Sequence, residues 1–285
     1  MANRNERAEI AEETVAITRR GSYFAPAGRT VAIDQAVRAA TDGSVLFTPS
    51  EAAGLRARAD AIMAAREPRR TTFDVRNEGT FTAARRLVGE SGADKVAALN
   101  FASAKNPGGG FLGGSQAQEE SLARASGLVA TLERHMTYYD ANRKSSSLLY
   151  TDHMIVSPRV PVFRDEEDRL LEEPWEVTII TSPAPNAGAI GKKNRALAQQ
   201  VVPTFRRRIE QILAAAVVFD QSALVLGAWG CGVFRNDPAT VAGLFGEFLL
   251  NDGPFARAFQ HIAFAVLDRS GETIAPFMNV FGNVA

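Results

Sequence analysis

The segment from Lys105 to Leu128, KNPGGGFLGGSQAQEESLARASGL, decides how this chain is interpreted. Three consecutive glycines are followed by a second glycine pair, and then an amide and two carboxylates stand side by side. The apolar stretch KVAALNF (95–101) precedes the segment and has the composition of a buried strand. A helix is predicted over residues 117–136, so the glycines connect a strand to a helix.

The three glycines, Gly108, Gly109 and Gly110, follow the end of a predicted strand after a short turn. Glycine accepts positive φ and has no Cβ to obstruct a ligand. Successive exposed N–H groups form a concavity that binds anions, and ligands of open α/β sheets sit at strand ends. The spacing is neither GxGxxG nor GxxxxGK[ST]. On the glycines alone, a flexible surface loop and a ligand-binding loop both fit.

The triplet Gln118, Glu119 and Glu120 begins the helix that follows. Carboxylates in a first helical turn are favoured by the helix dipole, so the triplet alone is commonplace. Behind a glycine loop that holds a phosphate or a sugar, the carboxylates face the same concave space. One of them is then placed to act as general acid and base at a glycosidic bond.

Strand-like and helix-like segments alternate along the chain. Helices are predicted over 5–19, 34–43, 50–66, 80–90, 117–136, 194–218 and 238–250; strands over 45–49, 71–76, 95–101, 176–182, 223–227 and 261–267; a hairpin over 21–33; and two extended runs over 148–165. The apolar residues from Ala125 to Met136 recur on one helical face. Apolar strands alternating with helices predict a two-sided sheet covered by helices. No linker divides the chain, so one domain with an N-terminal helical extension is expected.

Composition narrows the class of protein. Hydrophobic residues make up 46% of the 285 residues and charged residues 22%, which suffices for a full core. The 32 basic and 32 acidic residues balance, which disfavours a general electrostatic nucleic-acid binder but leaves room for a local basic groove. The one cysteine, Cys231, fits a reducing compartment. With no apolar signal core and no long apolar run, a cytoplasmic protein is predicted.

The three histidines, His135, His153 and His261, lie far apart and near no cysteine cluster. No zinc-ligand spacing appears, and no partner for any of them is evident in the sequence. They are interpreted as structural, and no metal site is predicted.

The pattern GGG, seven residues, QEE resembles the signature of poly(ADP-ribose) glycohydrolases. The preceding NFASAKNP resembles their bacterial-type branch, and the elbow is similar to the macrodomain pattern NAAN-x4-GGG; the match covers about residues 95–128. The resemblance implies a macrodomain-like three-layer α/β/α sandwich with a mostly parallel mixed sheet. Residues 1–66 are expected to form an N-terminal helical extension packed on the core, and residues 67–285 the macrodomain-like catalytic domain.

The resemblance also implies roles for the triplet and the glycines. Glu120 is expected to be the catalytic acid and base, and Glu119 the second catalytic glutamate, which holds the ribose beside the scissile bond. Gln118 supports the position of both. The remaining substrate-binding residues of the loop are Gly108, Gly109 and Gly110.

Three polar residues before the glycines complete the expected ribose site. Asn100 takes the first asparagine position of the macrodomain-like elbow. Ser103 stands where a second, ribose-binding asparagine often lies, so the sequence departs from the family pattern there. Either the Ser103 hydroxyl or Asn106 is expected to bind the ribose.

A second glycine loop lies in LVLGAWGCGVFRNDP (224–238). It follows a buried strand, and Asp237-Pro238 begins the next helix with proline in its favoured first position. Glycines there can present N–H groups to a diphosphate, although without the first motif an ordinary βα turn is the favoured interpretation. In the family this region resembles the diphosphate-binding loop, with its aromatic residue against the ribose. The expected contacts are Gly230, Cys231, Gly232, Val233 and Phe234.

Weaker candidates flank other strands. Asn186 in TSPAPNAG could line the same rim, although a rigid loop is the favoured interpretation of that segment. Glu78 or Thr80, after another strand, could meet an adenine. The basic run Arg206–Arg208 is interpreted as the exposed, solvated face of a helix, which could attract a polyanion if it borders the cleft.

The expected function is hydrolysis of ribose–ribose O-glycosidic bonds in poly(ADP-ribose), mainly from chain ends, with release of ADP-ribose. No metal or other cofactor is expected. The expected partners are the polymer, the ADP-ribose product and poly(ADP-ribosyl)ated proteins, without a membrane. Two alternatives remain: a macrodomain that binds ADP-ribose without cleaving it, and a hydrolase of mono-ADP-ribosyl adducts on protein or DNA. The adjacent carboxylates disfavour the first, and the family signature disfavours the second.

Overall fold

The computed structural model describes residues 2–90, 95–191 and 194–282. Its helices are α1 (Arg4–Arg20), α2 (Asp34–Gly43), α3 (Pro49–Ala64), α4 (Thr80–Glu90), α5 (Gln118–Ala125), α6 (Leu128–Glu133), α7 (Met136–Lys144), α8 (Ala187–Ile190), α9 (Arg195–Gln199), α10 (Val201–Val218), α11 (Pro238–Leu249) and α12 (Ala275–Phe281). Its strands are β1 (Ser22–Phe24), β2 (Thr30–Ala32), β3 (Val45–Phe47), β4 (Thr72–Arg76), β5 (Val96–Phe101), β6 (Met154–Arg164), β7 (Leu170–Ser182), β8 (Ala223–Leu226) and β9 (His261–Ala265).

Seven strands form the main sheet, in the order β3-β6-β7-β5-β8-β9-β4. Strands β7, β5, β8, β9 and β4 run parallel to one another, while β6 is antiparallel to both of its neighbours. Strands β1 and β2 form the predicted separate hairpin. The sheet is therefore mixed and mostly parallel, as predicted.

Strand β5 lies at the centre of the sheet, because β7 pairs with one of its edges and β8 with the other. Both of its faces are buried, which explains its continuous apolar sequence. The carboxyl ends of β5, β7 and β8 lie side by side at one end of the sheet. The loops that leave these ends define a cleft there, as expected for open parallel sheets.

Helices cover both faces of the sheet, and each face has its own hydrophobic cluster. On one face, Ala97 and Leu99 of β5 pack in a cluster with buried residues of α3, α10, α11 and α12. On the other face, Val96 and Ala98 pack with residues of α2, α4, α5, α6 and α7. The predicted three-layer α/β/α sandwich is confirmed.

The first 66 residues were expected to form an N-terminal helical extension, and parts of them also belong to the main sheet and its core. Strand β3 pairs with β6 at the edge of the main sheet, and Ala52, Leu55 and Ala59 of α3 belong to one of the two large clusters. Helix α1 packs beside the glycine segment, where the Arg4 and Arg7 Nε–H groups donate to Gly113 O and Gly114 O at 2.9 Å. The division at residue 66 stays a prediction, and its outer limits, residues 1 and 285, lie outside the described residues.

The predicted helix 117–136 is wrong in its extent. The chain leaves helical geometry at Ser126 and Gly127, which separate α5 from α6. Ser126 forms a bridge with Val162 of β6, and the Gly127 N–H donates to Pro161 O at 2.9 Å. These contacts to a distant strand replace the helical hydrogen bonds. Met136 begins another helix, α7, and is exposed rather than aligned with Ala125.

Other boundaries also differ from the prediction. The helix predicted over 194–218 is interrupted at Gln200, between α9 and α10. The strand predicted over 176–182 is the second half of the longer β7, whose first half pairs with β6. Three helices were not predicted from the sequence: α7, α8 and α12.

The basic run 206–208 is not a free, solvated face. Arg206 pairs with Glu247 at 2.8 Å, and Arg207 pairs with Asp152 at 2.6 Å. Arg208 is buried, with its guanidinium 2.8 Å from Asp152. Arg206 and Arg207 are exposed, as predicted, although carboxylates distant in sequence pair with them. The predicted exposure is wrong for Arg208 alone among the three, because it is buried beside Asp152.

The histidines are structural in position, but the expectation that they lack partners is wrong. His261 Nε2 lies 2.6 Å from Asp74 Oδ2 in an ion-pair geometry. His135 Nε2 lies 2.8 Å from the Ser44 hydroxyl, and His153 Nδ1 lies 2.8 Å from a threonine hydroxyl two residues earlier.

Candidate active site

The elbow between β5 and α5 is fixed by Gln118. Its Oε1 accepts from the Phe101 N–H at 2.9 Å, and its Nε2 donates to Leu99 O at 2.8 Å and to Thr80 Oγ1 at 3.0 Å. The Gln118 side chain therefore connects the start of α5 to the last residues of β5 and to the start of α4. All the hydrogen bonds of the Gln118 side chain go to the protein, and its contribution to substrate binding stays a prediction.

Glu119 is buried against the end of β5. Its Oε2 accepts from the Ser103 N–H at 2.6 Å, and its Oε1 accepts from Asn100 Nδ2 at 3.2 Å. Asn100 is itself buried, and its amide also donates to Thr181 Oγ1 of β7 at 3.3 Å. Two central strands thus set the orientation of this carboxyl. The structure places Asn100 behind Glu119 rather than at the open face of the cleft.

Burial raises the pKa of Glu119 to about 8, because a carboxylate loses its hydration there. The Ser103 N–H and the Asn100 amide favour the charged form and oppose the shift, while the charge of Glu120 adds to it. Near neutral pH this carboxyl is therefore mostly protonated. A neutral carboxyl at this position also reduces the repulsion between the two adjacent acid groups.

Glu120 is only partly buried and reaches the glycine loop. Its Oε1 accepts from the Gly110 N–H at 3.0 Å. A Cβ on Gly109 would lie 2.4 Å from Glu120 Oε1 and 3.2 Å from Glu119 Oε2. Gly109 also has a φ of +61°. Both carboxyls thus flank one glycine, and any side chain at that position would displace Glu120.

The N–H groups of the glycine loop donate to oxygens of the protein. The sequence instead predicted that they would form a concavity for an anion. The Gly109 N–H donates to Asn106 O at 3.0 Å, and the Gly110 N–H donates to Glu120. The Gly108 N–H favours the charged form of Glu119. A Cβ on Gly108 would lie 3.0 Å from Phe111 Cδ1. Close packing against α5 is therefore what requires glycines here.

The two candidates for the ribose contact have different surroundings. The Ser103 hydroxyl accepts from the Lys105 and Asn106 N–H groups at 3.2 Å and so shapes the turn. The Asn106 side chain is exposed at the start of the glycine run. The choice between them stays a prediction, and the exposed amide is the freer of the two.

The second loop, residues 227–237, is anchored at its two ends. Trp229 is fully buried, and its Nε1 donates to Ser182 O at the end of β7 at 3.2 Å. Asn236 donates to Pro185 O at 2.8 Å and to Gly230 O at 2.9 Å. Gly230 has a φ of +75°, and a Cβ there would lie 2.5 Å from a neighbouring alanine. These contacts leave the middle of the loop projecting from the carboxyl end of β8.

The middle of this loop is where unpaired N–H groups occur. Within the described part of the chain, the N–H groups of Gly232, Val233 and Phe234 have no protein acceptor. Val233 is 83% exposed, and no heavy atom lies within 4 Å of a Cβ built on Gly232. Three successive free donors at a strand end form a concavity suited to an anion.

Cys231 and Phe234 occupy the walls of the same loop. Burial raises the pKa of the Cys231 thiol to about 12, with a smaller contribution from Asp237, so the thiol stays neutral. The Phe234 ring lies 5.9 Å from the ring of Tyr150, at an interplanar angle of 39°. Cys231 is thus a small, largely buried residue of the loop, and Phe234 is part of an aromatic pair; their contacts to substrate stay predictions.

Tyr150 was not predicted from the sequence, because its position depends on a buried arginine. Arg208 donates to Leu149 O and to Pro183 O, both at 2.8 Å, while Asp152 neutralises it. Tyr150 itself has a φ of +60°. Arg208 therefore holds the segment around Tyr150 against the loop that leaves β7. In the sequence, Arg208 is one of three basic residues in a predicted helix, and nothing there indicates that it positions Tyr150.

The weaker candidates have structural partners. Asn186 caps α8, accepting from the Ala189 N–H at 3.0 Å. Glu78 lies 2.6 Å from Arg86, and Thr80 accepts from Gln118. Their contacts to substrate stay predictions, and each side chain already has a partner in the protein.

A buried arginine, also missed in the sequence, supports the glycine segment from the side. Arg124 donates to Ser115 O at 2.9 Å and to Gln116 Oε1 at 2.5 Å, and it pairs with Asp168 at 3.3 Å. The Thr14 hydroxyl of α1 donates to Arg124 O at 2.6 Å. The segment between the glycines and α5 is therefore held by α1 and by the β6–β7 connection.

Among residues 2–90, 95–191 and 194–282, no group of three or more His, Cys, Asp or Glu side chains could hold a metal ion. No helix in those ranges combines the length and the apolar character that crossing a membrane requires.

Comparison with known proteins gives a consistent set of relatives. A family model described as the catalytic domain of microbial-type PARG matches residues 11–165. The structure of poly(ADP-ribose) glycohydrolase from Thermomonospora curvata is 46% identical, with a TM-score of 0.90, and the match covers 98% of this chain and 100% of that one. The same enzyme bound to the inhibitor ADP-HPD is 47% identical, with a TM-score of 0.89 and coverages of 97% and 99%.

A second bacterial structure also matches. Poly(ADP-ribose) glycohydrolase from Deinococcus radiodurans, in complex with ADP-ribose, is 49% identical, with a TM-score of 0.81 and coverages of 87% and 98%. The comparison with curated proteins gives no match.

Proposed function

The chain belongs to the family of microbial-type poly(ADP-ribose) glycohydrolase (PARG) catalytic domains, and from this premise we propose how its cleft works. The chain hydrolyses ribose–ribose O-glycosidic bonds of poly(ADP-ribose) and releases ADP-ribose. One observation carries the assignment of the chemistry: Glu119 and Glu120 flank Gly109 at the carboxyl end of the central strand.

Glu120 is the group that transfers the proton. It is the more accessible of the two carboxyls, and the Gly110 N–H fixes one of its oxygens. It donates a proton to the leaving ribose oxygen as the C–O bond breaks and an oxocarbenium-like centre develops. It then takes a proton from the attacking water, which restores its starting state.

Glu119 holds the ribose next to the scissile bond. Because burial keeps this carboxyl mostly protonated near neutral pH, it can donate a hydrogen bond to a ribose oxygen as well as accept one. Asn100 and Ser103 fix its plane, so the geometry does not depend on the substrate. A fixed neutral donor costs no rearrangement when the substrate enters.

The second loop binds the diphosphate of the unit in the cleft. The unpaired N–H groups of Gly232, Val233 and Phe234 supply three donors for its oxygens. The Phe234 and Tyr150 rings offer an apolar wall for a sugar or a base. Binding and bond cleavage are thus assigned to different loops.

The polymer is cleaved mainly from its ends, and the natural substrates include poly(ADP-ribosyl)ated proteins. Both statements are carried over from the family. The enzyme acts in the cytoplasm, where thiols stay reduced; its single cysteine is unpaired, neutral and partly buried, which fits that compartment. Gln118 and Asn100 act through Glu119 in this scheme, whereas Asn106 is the favoured direct ribose contact.

The decisive experiment compares the wild type with Glu120→Ala on poly(ADP-ribose), with polymer binding measured in parallel. We expect the wild type to release ADP-ribose and Glu120→Ala to bind the polymer while losing about 10²–10⁴-fold in kcat. A wild type that binds polymer without cleaving it would make the protein a reader. Faster release from mono-ADP-ribosylated protein than from polymer would favour the mono-adduct hydrolase.

A further inference from the structure

A group of arginines forms an open groove far from the cleft. The groove has a volume of about 360 Å³, and Arg69, Arg70 and Arg257 line it together with Pro68, Thr71 and Ala256. Its volume falls within the range of roughly 300–1,000 Å³ that is usual for small-ligand sites. We call this feature the arginine groove.

The groove is built by two chain segments that pair before strands β4 and β9. The Arg69 N–H donates to Arg257 O at 3.0 Å, and the Thr71 hydroxyl donates to Ala256 O at 2.9 Å. Arg66 anchors the same segment by donating to Ala258 O at 2.6 Å. The backbone that carries the arginines is therefore fixed by hydrogen bonds between the two segments.

The positive charge of the groove is not neutralised within the described part of the chain. None of the groove arginines, Arg69, Arg70 or Arg257, has a described carboxylate within 4.0 Å, in contrast to the paired run 206–208. Arg69 Nη1 is buried and has no hydrogen-bond partner there. Burial, with a smaller contribution from the charge of Arg69, lowers the pKa of Arg66. An anion would satisfy the donors that the protein leaves unpaired.

The groove and the cleft lie at opposite ends of the sheet. The arginines precede β4 and β9 at their amino ends, whereas the cleft lies at the carboxyl ends of the parallel strands β5, β7 and β8. Five-residue strands at about 3.3 Å per residue separate the two ends by roughly 15 Å or more. One ADP-ribose unit in the cleft therefore leaves the groove free for a distant part of the chain.

We propose that the arginine groove binds diphosphate groups of poly(ADP-ribose) that lie beyond the unit held in the cleft. The inference rests on the proposed function, since it needs the polymer as substrate. Arginine suits this ligand, because its planar guanidinium donates two parallel hydrogen bonds to phosphate oxygens. A chain held at two points dissociates more slowly than one held at its end alone.

The first experiment measures kinetics on long and short poly(ADP-ribose) with the double variant Arg70→Ser/Arg257→Ser. Both side chains are exposed, so the fold should persist, and Arg58→Ser/Arg85→Ser removes the same charge from two exposed helical positions as a control. We expect KM for long chains to rise about three- to ten-fold in the groove variant and its dependence on salt to weaken by about 0.7 per arginine in log–log slope. The kcat and the KM for short chains should not change.

The second experiment separates the groove from the cleft by direct binding. Labelled long polymer is titrated into Glu120→Gln protein in excess ADP-ribose, which occupies the cleft, with inorganic diphosphate or single-stranded DNA as competitor. We expect residual polymer binding that Arg70→Ser/Arg257→Ser removes and that diphosphate displaces.

Several outcomes would overturn the proposal. These are residual binding that survives in the groove variant, KM values that rise equally for short and long chains, effects no larger than in Arg58→Ser/Arg85→Ser, and tighter binding of single-stranded DNA than of polymer. A wild type that fails to cleave polymer would instead refute the proposed function, and binding to Glu120→Gln would still report on the groove.

Discussion

The two glycine loops at the cleft look alike in sequence but use their backbone in opposite ways. In the first loop, residues 102–117, the N–H groups of the glycines are directed to carbonyl and carboxylate oxygens of the protein. In the second loop, residues 227–237, the ends are anchored by Trp229 and Asn236, and three N–H groups in the middle stay unpaired within the described chain.

This difference shows that a glycine run alone does not reveal its use. Glycines of the first loop let the backbone pass close to Glu119 and Glu120, so that the loop positions the acid groups. In the second loop, Gly230 makes the turn that presents the free donors. The first loop is therefore expected to govern kcat, and the second to govern KM.

The largest expected effect concerns the buried Glu119 carboxyl beside the first loop. The pKa of Glu119 is raised from 4.5 to about 8, so its contribution to stability is full below pH 4.5 and is lost as pH rises through about 8. The unfolding free energy of the wild type, measured against Glu119→Gln, should fall by about 1.4 kcal/mol per pH unit in that window. Urea unfolding at several pH values tests this, and a pH-independent difference would refute it.

The next effect is a loss of turnover in Gly109→Ala. The new Cβ would lie 2.4 Å from Glu120 Oε1 in a backbone with positive φ, so the carboxylate must move. We expect kcat to fall about 100-fold, since a displacement near 1 Å costs about that much. Gly113→Ala serves as the control, because its Cβ would meet nothing within 4 Å. Equal activity in the two variants would show that Glu120 tolerates the shift.

A smaller effect is expected when the second loop loses one donor. Val233→Pro removes an unpaired N–H from an exposed position that follows a glycine, and Val233→Ala keeps it. A hydrogen bond to a charged group contributes about 1.5–3 kcal/mol, so KM should rise at least about ten-fold at unchanged kcat. If Val233→Ala raises KM as much, the side chain is responsible and the N–H is not.

The smallest effect concerns the support of the first loop by α1. Arg7→Met removes the bond to Gly114 O and a local bond to Ala2 O, which together should cost about 1–2 kcal/mol of unfolding free energy and lower kcat a few-fold. Arg20→Met, which loses only a local bond to Ser22 O, is the matched control. Thermal unfolding and steady-state kinetics on both variants measure the change in stability and the change in kcat. Identical kcat values would mean that the loop holds its shape without α1.

The sequence predicted those parts of the fold whose signals are local. The strand–glycine–QEE segment, the hairpin over 21–33 and the helix 34–43 were predicted because turn residues and apolar periodicity lie next to each other in the chain. The break at Ser126 was missed, since its cause is the pairing of that residue with Val162 of a distant strand.

The same limit applied to the candidate site. Glu119, Glu120 and the glycines follow from one contiguous pattern, and their meeting around Gly109 fits it. The burial of Arg208 depends on Asp152, which lies 56 residues away, and Tyr150 is placed as a result. Charge patterns of single helices cannot reveal such pairs, because burial is decided by tertiary contacts.

The division of labour between the loops is tested most directly by the kinetics of Gly109→Ala, Val233→Pro and the double variant on poly(ADP-ribose). We expect the first substitution to change only kcat, the second to change only KM, and their effects on kcat/KM to multiply in the double variant. The two loops would not divide binding and catalysis in this way if Gly109→Ala raised KM as much as it lowers kcat, or if Val233→Pro lowered kcat as much as it raises KM.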